Sequence, residues 1–324
     1  PETAKENIED LVRFYRQNKE AITAGTIDMK MTDVDGNLQT YTTLRDVPNA
    51  NLLTRLQTDF PDLFNGDQID LSKRLGLDQK TKELLVSPTD DVSNFEGIQY
   101  LIGNLSWEGS KFGLYAAEVE NVASMPNVKV GKSITQIILQ NIEMEAIDLS
   151  NATNLVNVWI QNIPGLQKLD LSYSTIWGQR DKETESNETY GSNLMVLGCP
   201  ALKEIKLPEK DELKVNTIDI ESLDALETFD MSNVKMLSNI AIGDLNNDFN
   251  LVYPELTIFY NEDGRAGTTF ACSESTFYRE STQAFLKANY TDIDSSDKVR
   301  RLGYSSSLMY DEGCRWKTLL KNQK

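Results

Sequence analysis

The chain has 324 residues, 40% of them hydrophobic, enough for one elongated domain or two compact ones. Its 50 acidic residues against 32 basic give a net charge of −18, which argues against nucleic acid and anionic membrane surfaces as partners, because binding phosphates needs clustered lysine and arginine. The absence of histidine removes Ser-His-Asp and Cys-His nucleophile activation and every His-ligated zinc site, and three cysteines are too few for a four-thiolate zinc site.

The chain opens on Pro1 rather than Met, so the expectation is that an N-terminal segment has been removed: a secretory signal, a lipoprotein leader, or a trimmed start. Thr3-x-x-Glu6 is a capping-box pattern, and Ile8, Leu11, Tyr15 and Ile22 follow at helical spacing, which predicts a helix over 4–22 ending near Gly25. Ile27, Met29 and Met31 alternate with polar residues up to Asp35-Gly36, and Leu38 and Thr40 alternate after it, which predicts a hairpin near 27–41. Asp33-x-Asp35-x-Asn37 imitates the start of a calcium loop. However, Leu38 stands where that loop needs glycine and Leu44 where it needs a bidentate Glu. Leu52, Leu53, Leu56, Phe60, Leu63 and Phe64 predict a second helix interrupted at Pro61, and a third short one is expected over 78–85. Residues 1–90 are therefore expected to form a mixed helical N-terminal domain or cap. No apolar run approaches the ~18 residues of a spanning helix, so no transmembrane segment is expected.

Hydrophobic pairs of the form apolar-x-apolar then recur: Ile137/Leu139, Ile147/Leu149, Val158/Ile160 and Leu169/Leu171, and later Ile205/Leu207, Ile218/Ile220, Phe229/Met231 and Ile240/Ile242. Each is the alternation of a short strand with one buried face. The second members step by 10, 11 and 11 residues, then by 13, 11 and 11. Two steps make a unit in the range of a leucine-rich repeat, and a unit this thin must stack on its neighbours to bury its apolar edge. Val130-Gly131-Lys132-Ser133 carries the end of a phosphate-binding loop, but Pro126 stands where the first glycine should be. The polar stretch Gly178–Ser192 breaks the period and reads as a loop leaving one face. Cys199, in Cys199-Pro200-Ala201-Leu202, reads as an inert core thiol.

Beyond Asn261-Glu262-Asp263-Gly264, a turn signal, the period is lost. Ser275–Asn289 reads as an amphipathic helix with Phe277, Phe285 and Leu286, and Trp316, Leu319 and Leu320 close the tail. Residues 261–324 are expected to form a small C-terminal cap. Cys272 and Cys314 lie here, and whether they form a disulfide is left open by the sequence.

Asn94-Phe95-Glu96-Gly97-Ile98-Gln99-Tyr100-Leu101 resembles the opening repeat of internalin-like leucine-rich proteins. Ala146-Ile147-Asp148-Leu149-Ser150-Asn151-Ala152-Thr153-Asn154-Leu155 and Leu166-Gln167-Lys168-Leu169-Asp170-Leu171-Ser172 resemble the short repeats of secreted and surface leucine-rich proteins of bacteria. Cys199 to Pro208 is similar to a cysteine-leading repeat class of such proteins. The resemblance spans roughly residues 92–258 and implies an extracellular or cell-surface protein. Two departures stand out. The asparagines Asn141, Asn162 and Asn233 come two positions after the last strand apolar instead of three, and the polar stretch interrupts the array. The expected fold is an α/β-type repeat solenoid: a leucine-rich repeat over 91–260 with short strands on both sides, flanked by the N-terminal domain and the C-terminal cap.

The middle residue of each pair points away from the core. Ile138 and Trp159, 21 residues apart, are expected to stand ~5 Å apart on adjacent strands, flanked by Gln140 and Gln161, with Lys206 and Asp230 in the same set. Such a patch reads either as a ligand contact or as a surface covered by the 178–192 loop or the N-terminal domain. A second set presents Asp148, Asp170 and Asp219, whose like charges invite a cation or a basic ligand, unless Asp-x-Ser is the ordinary solvated filling of these turns. The candidate ligand-binding residues are thus Ile138, Gln140, Trp159, Gln161, Asp148, Asp170 and Tyr173. An open sheet is a poor place to raise a carboxyl pKa, which argues against catalysis. The expected function is non-catalytic recognition or adhesion by a monomer, binding a protein or glycan ligand without cofactor or metal. The alternative is a carbohydrate-active enzyme with catalytic carboxylates outside the repeats; a third reading is an adhesive module whose acidic stripe needs calcium.

Overall fold

The computed structural model describes residues 12, 16, 29–32, 36, 38–41, 44–71, 73, 75, 83–102, 111–116, 122–179, 192–243, 245–246, 249–256 and 269–289. The helix expected over 4–22 falls outside these residues except for Val12 and Arg16, which are helical. Cys314 and the tail aromatic Trp316 fall outside them as well.

Alternation of β-branched and polar residues makes strands whose inner side chains are buried and whose outer ones are half-buried. In chain order these are β1 (Met29–Thr32), β2 (Leu38–Tyr41), β3 (Leu44–Arg45), β4 (Phe64–Asn65), β5 (Gln68–Asp70), β6 (Glu83–Val86) and β7 (Lys111–Tyr115). They continue with β8 (Ala123–Ser124), β9 (Val128–Lys129), β10 (Gln136–Gln140), β11 (Ile142–Glu143), β12 (Ile147–Asp148), β13 (Asn157–Gln161) and β14 (Lys168–Asp170). The last are β15 (Ser192–Leu197), β16 (Glu204–Lys206), β17 (Leu213–Glu221), β18 (Thr228–Asp230), β19 (Val234–Ile242), β20 (Asn250–Val252) and β21 (Thr269–Cys272). The described helices are α1 (Ala50–Asp59), α2 (Ile98–Ile102), α3 (Glu274–Phe277) and α4 (Glu280–Asn289).

Eight strands form one parallel sheet in the order β21-β19-β17-β15-β13-β10-β7-β6. Across the core, β8 pairs with β11, β9 with β12, β14 with β16 and β18 with β20, each as a separate two-stranded parallel ladder. This corrects the expected fold. The architecture is an α/β-type fold with a large parallel sheet and, among the described residues, few helices, not a leucine-rich-repeat solenoid between a mixed helical domain and a small cap. The sheet runs from Glu83 to Cys272, and among the described residues the N-terminal stretch contributes the antiparallel pair β1-β2, the antiparallel sheet β3-β5-β4, the ten-residue helix α1 and a strand of the main sheet. The reason lies in what the pattern encodes: apolar-x-apolar fixes a strand with one buried face, and a parallel sheet satisfies it without being specific to leucine-rich repeats.

The helix expected over 78–85 is overturned in its last turn, where Glu83–Val86 is strand β6. Adjacent leucines in a short apolar run fit either period; the free edge of β7 offers backbone partners, and burial of Leu84 and Val86 then follows the two-residue alternation. The second helix does break at Pro61: α1 is capped by Asn49, whose Oδ1 accepts from Leu52 N at 3.0 Å, and Pro61 begins a 3-10 turn. Residues 275–289 divide into α3 and α4 around Tyr278, with Phe277, Phe285 and Leu286 buried. Tyr253 stacks on Phe285 at 4.6 Å between ring centroids, tying α4 to the core.

Two of the three displaced asparagines, Asn141 and Asn162, find their use at the corners that end the main strands. Asn141 (φ 58°), Asn162 (φ 54°), Gly198 (φ 64°) and Ser222 (φ 54°) follow β10, β13, β15 and β17 in left-handed conformation. Asparagine and glycine tolerate that region best. Asn162 Nδ2 donates to Asn141 Oδ1 at 3.0 Å, and Asn141 Nδ2 to the Ala116 carbonyl at 3.0 Å, so each corner satisfies the next.

Candidate functional site

The main sheet buries Ile137, Leu139, Val158, Ile160, Leu194 and Val196 on its inner face. Their neighbours point outward and line up in three rows by strand register. The middle row is Ile138, Trp159, Met195, Asp219 and Ala241 on β10, β13, β15, β17 and β19. One flanking row is Gln136, Asn157, Asn193, Thr217 and Asn239; the other is Gln140, Gln161, Leu197 and Glu221.

The flanking rows bond along themselves. Gln140 Nε2 donates to Gln161 Oε1 at 3.2 Å, Asn193 Nδ2 to Asn157 Oδ1 at 2.5 Å, and Asn216 Nδ2 to Asn193 Oδ1 at 2.8 Å. Asn216 is the extra residue of a bulge in β17 opposite β15, which adds an amide to that row. The middle row is different. Trp159 is half-buried, yet its Nε1 is fully buried without a hydrogen-bond partner, and Asp219 Oδ1 is in the same condition. Leaving such a group unmade costs about 1–3 kcal/mol, so its presence calls for an explanation. Trp177 Nε1 is also unpartnered, but that ring is wholly inside the core and faces no ligand. Burial pushes the Asp219 carboxyl up to about 6, and the negative charge of Glu221 pushes the same way. The expectation that an open sheet leaves carboxyls unperturbed fails at this position, because Asp219 is packed between Met195 and Ala241.

The structure brings Ile138, Trp159, Gln140 and Gln161 onto adjacent strands, as register Ile138↔Trp159 and Gln140↔Gln161. Asp148, Asp170 and Tyr173 lie elsewhere, where they line an open depression of about 410 Å³ with Glu145 and Lys168. Asp219 belongs with Trp159 rather than with Asp148 and Asp170, while Lys206 and Asp230 belong to the opposite ladders. The phase error has one cause. The alternation does not reveal strand β15, because its outward residue Met195 is itself apolar, and without that strand the two sets that follow exchange. A run of four apolar residues, Leu194 to Leu197, was the available signal.

Asp148 and Asp170 are internally satisfied. Asp148 Oδ1 accepts from Ser150 N at 2.9 Å and its Oδ2 lies 3.5 Å from Lys129 Nζ. Asp170 Oδ1 accepts from Ser172 N at 3.0 Å and Ser172 Oγ at 2.6 Å, with Lys168 Nζ at 3.4 Å from Oδ2. The Ser150 bonds hold the Asp148 carboxyl below the usual range, helped by Lys129; for Asp170, partial burial pushes up but the Ser172 bonds and Lys168 outweigh it. Asp230 repeats the motif, accepting from Ser232 N at 2.8 Å. Asp-x-Ser is therefore a turn device, in which the carboxylate caps the backbone two residues on. Among the described residues no group of three or more His, Cys, Asp or Glu is placed to hold a metal. Cys199 and Cys272 are buried free thiols with pKa raised by burial, Cys199 to about 11. Among the described residues no helix is long and apolar enough to cross a membrane.

Compared with protein families, with curated proteins and with solved structures, the chain matches none.

Proposed function

We propose that this protein is a non-catalytic recognition protein that binds a macromolecular ligand, a protein or a glycan, through the outer face of its parallel sheet. The observation that carries the reading is the middle row. Trp159 Nε1 and Asp219 Oδ1 are buried without partners there, while the amides on both sides bond to one another. A face whose rims are internally satisfied and whose centre is not has its affinity at the centre, with Trp159 as aromatic anchor and Ile138 beside it. Gln140 and Gln161 form part of the polar surround, and Asp148, Asp170 and Tyr173 a separate, weaker contact. The protein acts as a monomer outside the cell or at its surface; this rests on the short sequence resemblances within residues 92–258 to secreted and surface proteins.

The test is a glycan and protein array probed with the full chain and with Trp159→Ala. Binding to the ligand found should weaken by at least about tenfold in the variant. Full retention removes this face from the function.

A further inference from the structure

Trp159, Met195 and Asp219 stand side by side on three successive parallel strands, in registers Trp159↔Met195 and Met195↔Asp219. Strands in a sheet lie ~4.8 Å apart, so the backbones of Trp159 and Asp219 are roughly 10 Å apart with Met195 between them. Side chains rise nearly perpendicular to a sheet, and the result is a slot with a thioether floor, an indole on one side and a carboxylate on the other. From this geometry we infer that the slot takes a cationic side chain, an arginine or lysine of a partner protein, with Asp219 as its counter-charge. The inference rests on the recognition reading above and names the ligand chemistry at its centre.

Three observations favour a cation over a neutral ligand. Asp219 Oδ1 has no partner, although its surroundings bury it. The charge that acts on Asp219 is negative, that of Glu221, two residues on and on the same outward side of β17, and among the described residues no lysine or arginine acts on Asp219 to offset it. The whole chain carries −18, so encounter with a basic surface is favoured at long range. Hydroxyl groups of a neutral glycan would hydrogen-bond Asp219 but leave its charge uncompensated; a guanidinium or ammonium supplies both. The aliphatic stem of arginine or lysine suits Met195, and the indole face attracts the cationic head.

The experiment titrates the full chain with a capped peptide alternating glycine and arginine, and with the same peptide carrying neutral citrulline. Salt is held at about 150 mM, where diffuse surface attraction is largely screened. The reporter is the Trp159 indole N–H resonance, assigned by Trp159→Phe. The arginine peptide should shift it saturably. The citrulline peptide, and Asp219→Asn with the arginine peptide, should bind at least about tenfold more weakly. Asp230→Asn, an exposed acid on the opposite ladder, should stay within about twofold. Asp219→Glu keeps the charge and should keep the preference for arginine over citrulline. Equal binding of the two peptides, or equal losses in Asp219→Asn and Asp230→Asn, overturns the cationic slot. An array ligand that depends on Trp159 but is indifferent to Asp219→Asn also overturns the slot while leaving the recognition face standing. No Trp159-dependent ligand in either screen removes both.

Discussion

Asp219 is the residue whose chemistry departs furthest from its surroundings. Its carboxyl titrates near 6 in the folded protein, above the ordinary aspartate value of 3.8. Between those values the folded state binds more protons than the unfolded chain, so this contribution to stability is fully present below about pH 4 and is lost as pH rises through about 6. Asp219→Asn should therefore flatten the thermal stability between pH 4 and 6 and raise Tm at pH 7 by roughly 2 °C, read by thermal melts across that range. A Tm lowered at pH 7 would mean that the carboxylate has a stabilising partner after all. The signs at Asp148 and Asp170 are opposite, since both carboxyls are held down, and their contribution is lost on acidification. These residues were equally visible in the sequence; what distinguishes them is serine or lysine within reach, which depends on the turn and on the strand beside it.

Among the elements, the corner asparagines and the missed strand show where sequence pattern suffices and where it stops. The spacing of Asn141 and Asn162, two positions past the last strand apolar, stands out in the sequence, but neither their left-handed conformation nor the hydrogen bond that joins them can be read from it. Asn162→Ala loses both the tolerance of φ 54° and the bond to Asn141 Oδ1, and should cost about 1–3 kcal/mol in chemical denaturation; a loss near zero would make the amide ladder decorative. Strand β15 was hidden because Leu194, Met195, Val196 and Leu197 have no polar residue to mark an outer face. Leu194 is fully buried on the inner side, and Leu194→Ala should cost about 2–5 kcal/mol, against under about 2 kcal/mol for Met195→Ala on the half-buried outer side. Similar costs at both positions would contradict the assigned faces.

For the molecule as a whole, a charge of −18 on one continuous core makes self-repulsion the dominant long-range force. The described ion pairs, such as Lys168 with Glu204 at 3.1 Å, lie at the surface and offset little of it. Raising NaCl from about 10 to about 300 mM should therefore raise Tm, since screening weakens the repulsion more than it weakens these pairs. A fall in Tm over that range would show that the pairs matter more than the net charge. The sequence by itself determined the apolar-x-apolar strands and their buried faces, because side-chain alternation is a local property carried by neighbouring residues. Only the tertiary structure decided that these strands join one eight-stranded parallel sheet, which strands stand next to each other, and that Trp159, Met195 and Asp219 share a row, because hydrogen bonding between strands is a property of residues far apart in the chain. One strand without polar punctuation was enough to exchange the two sets of outward residues, so the composition of each face emerged only once register was fixed.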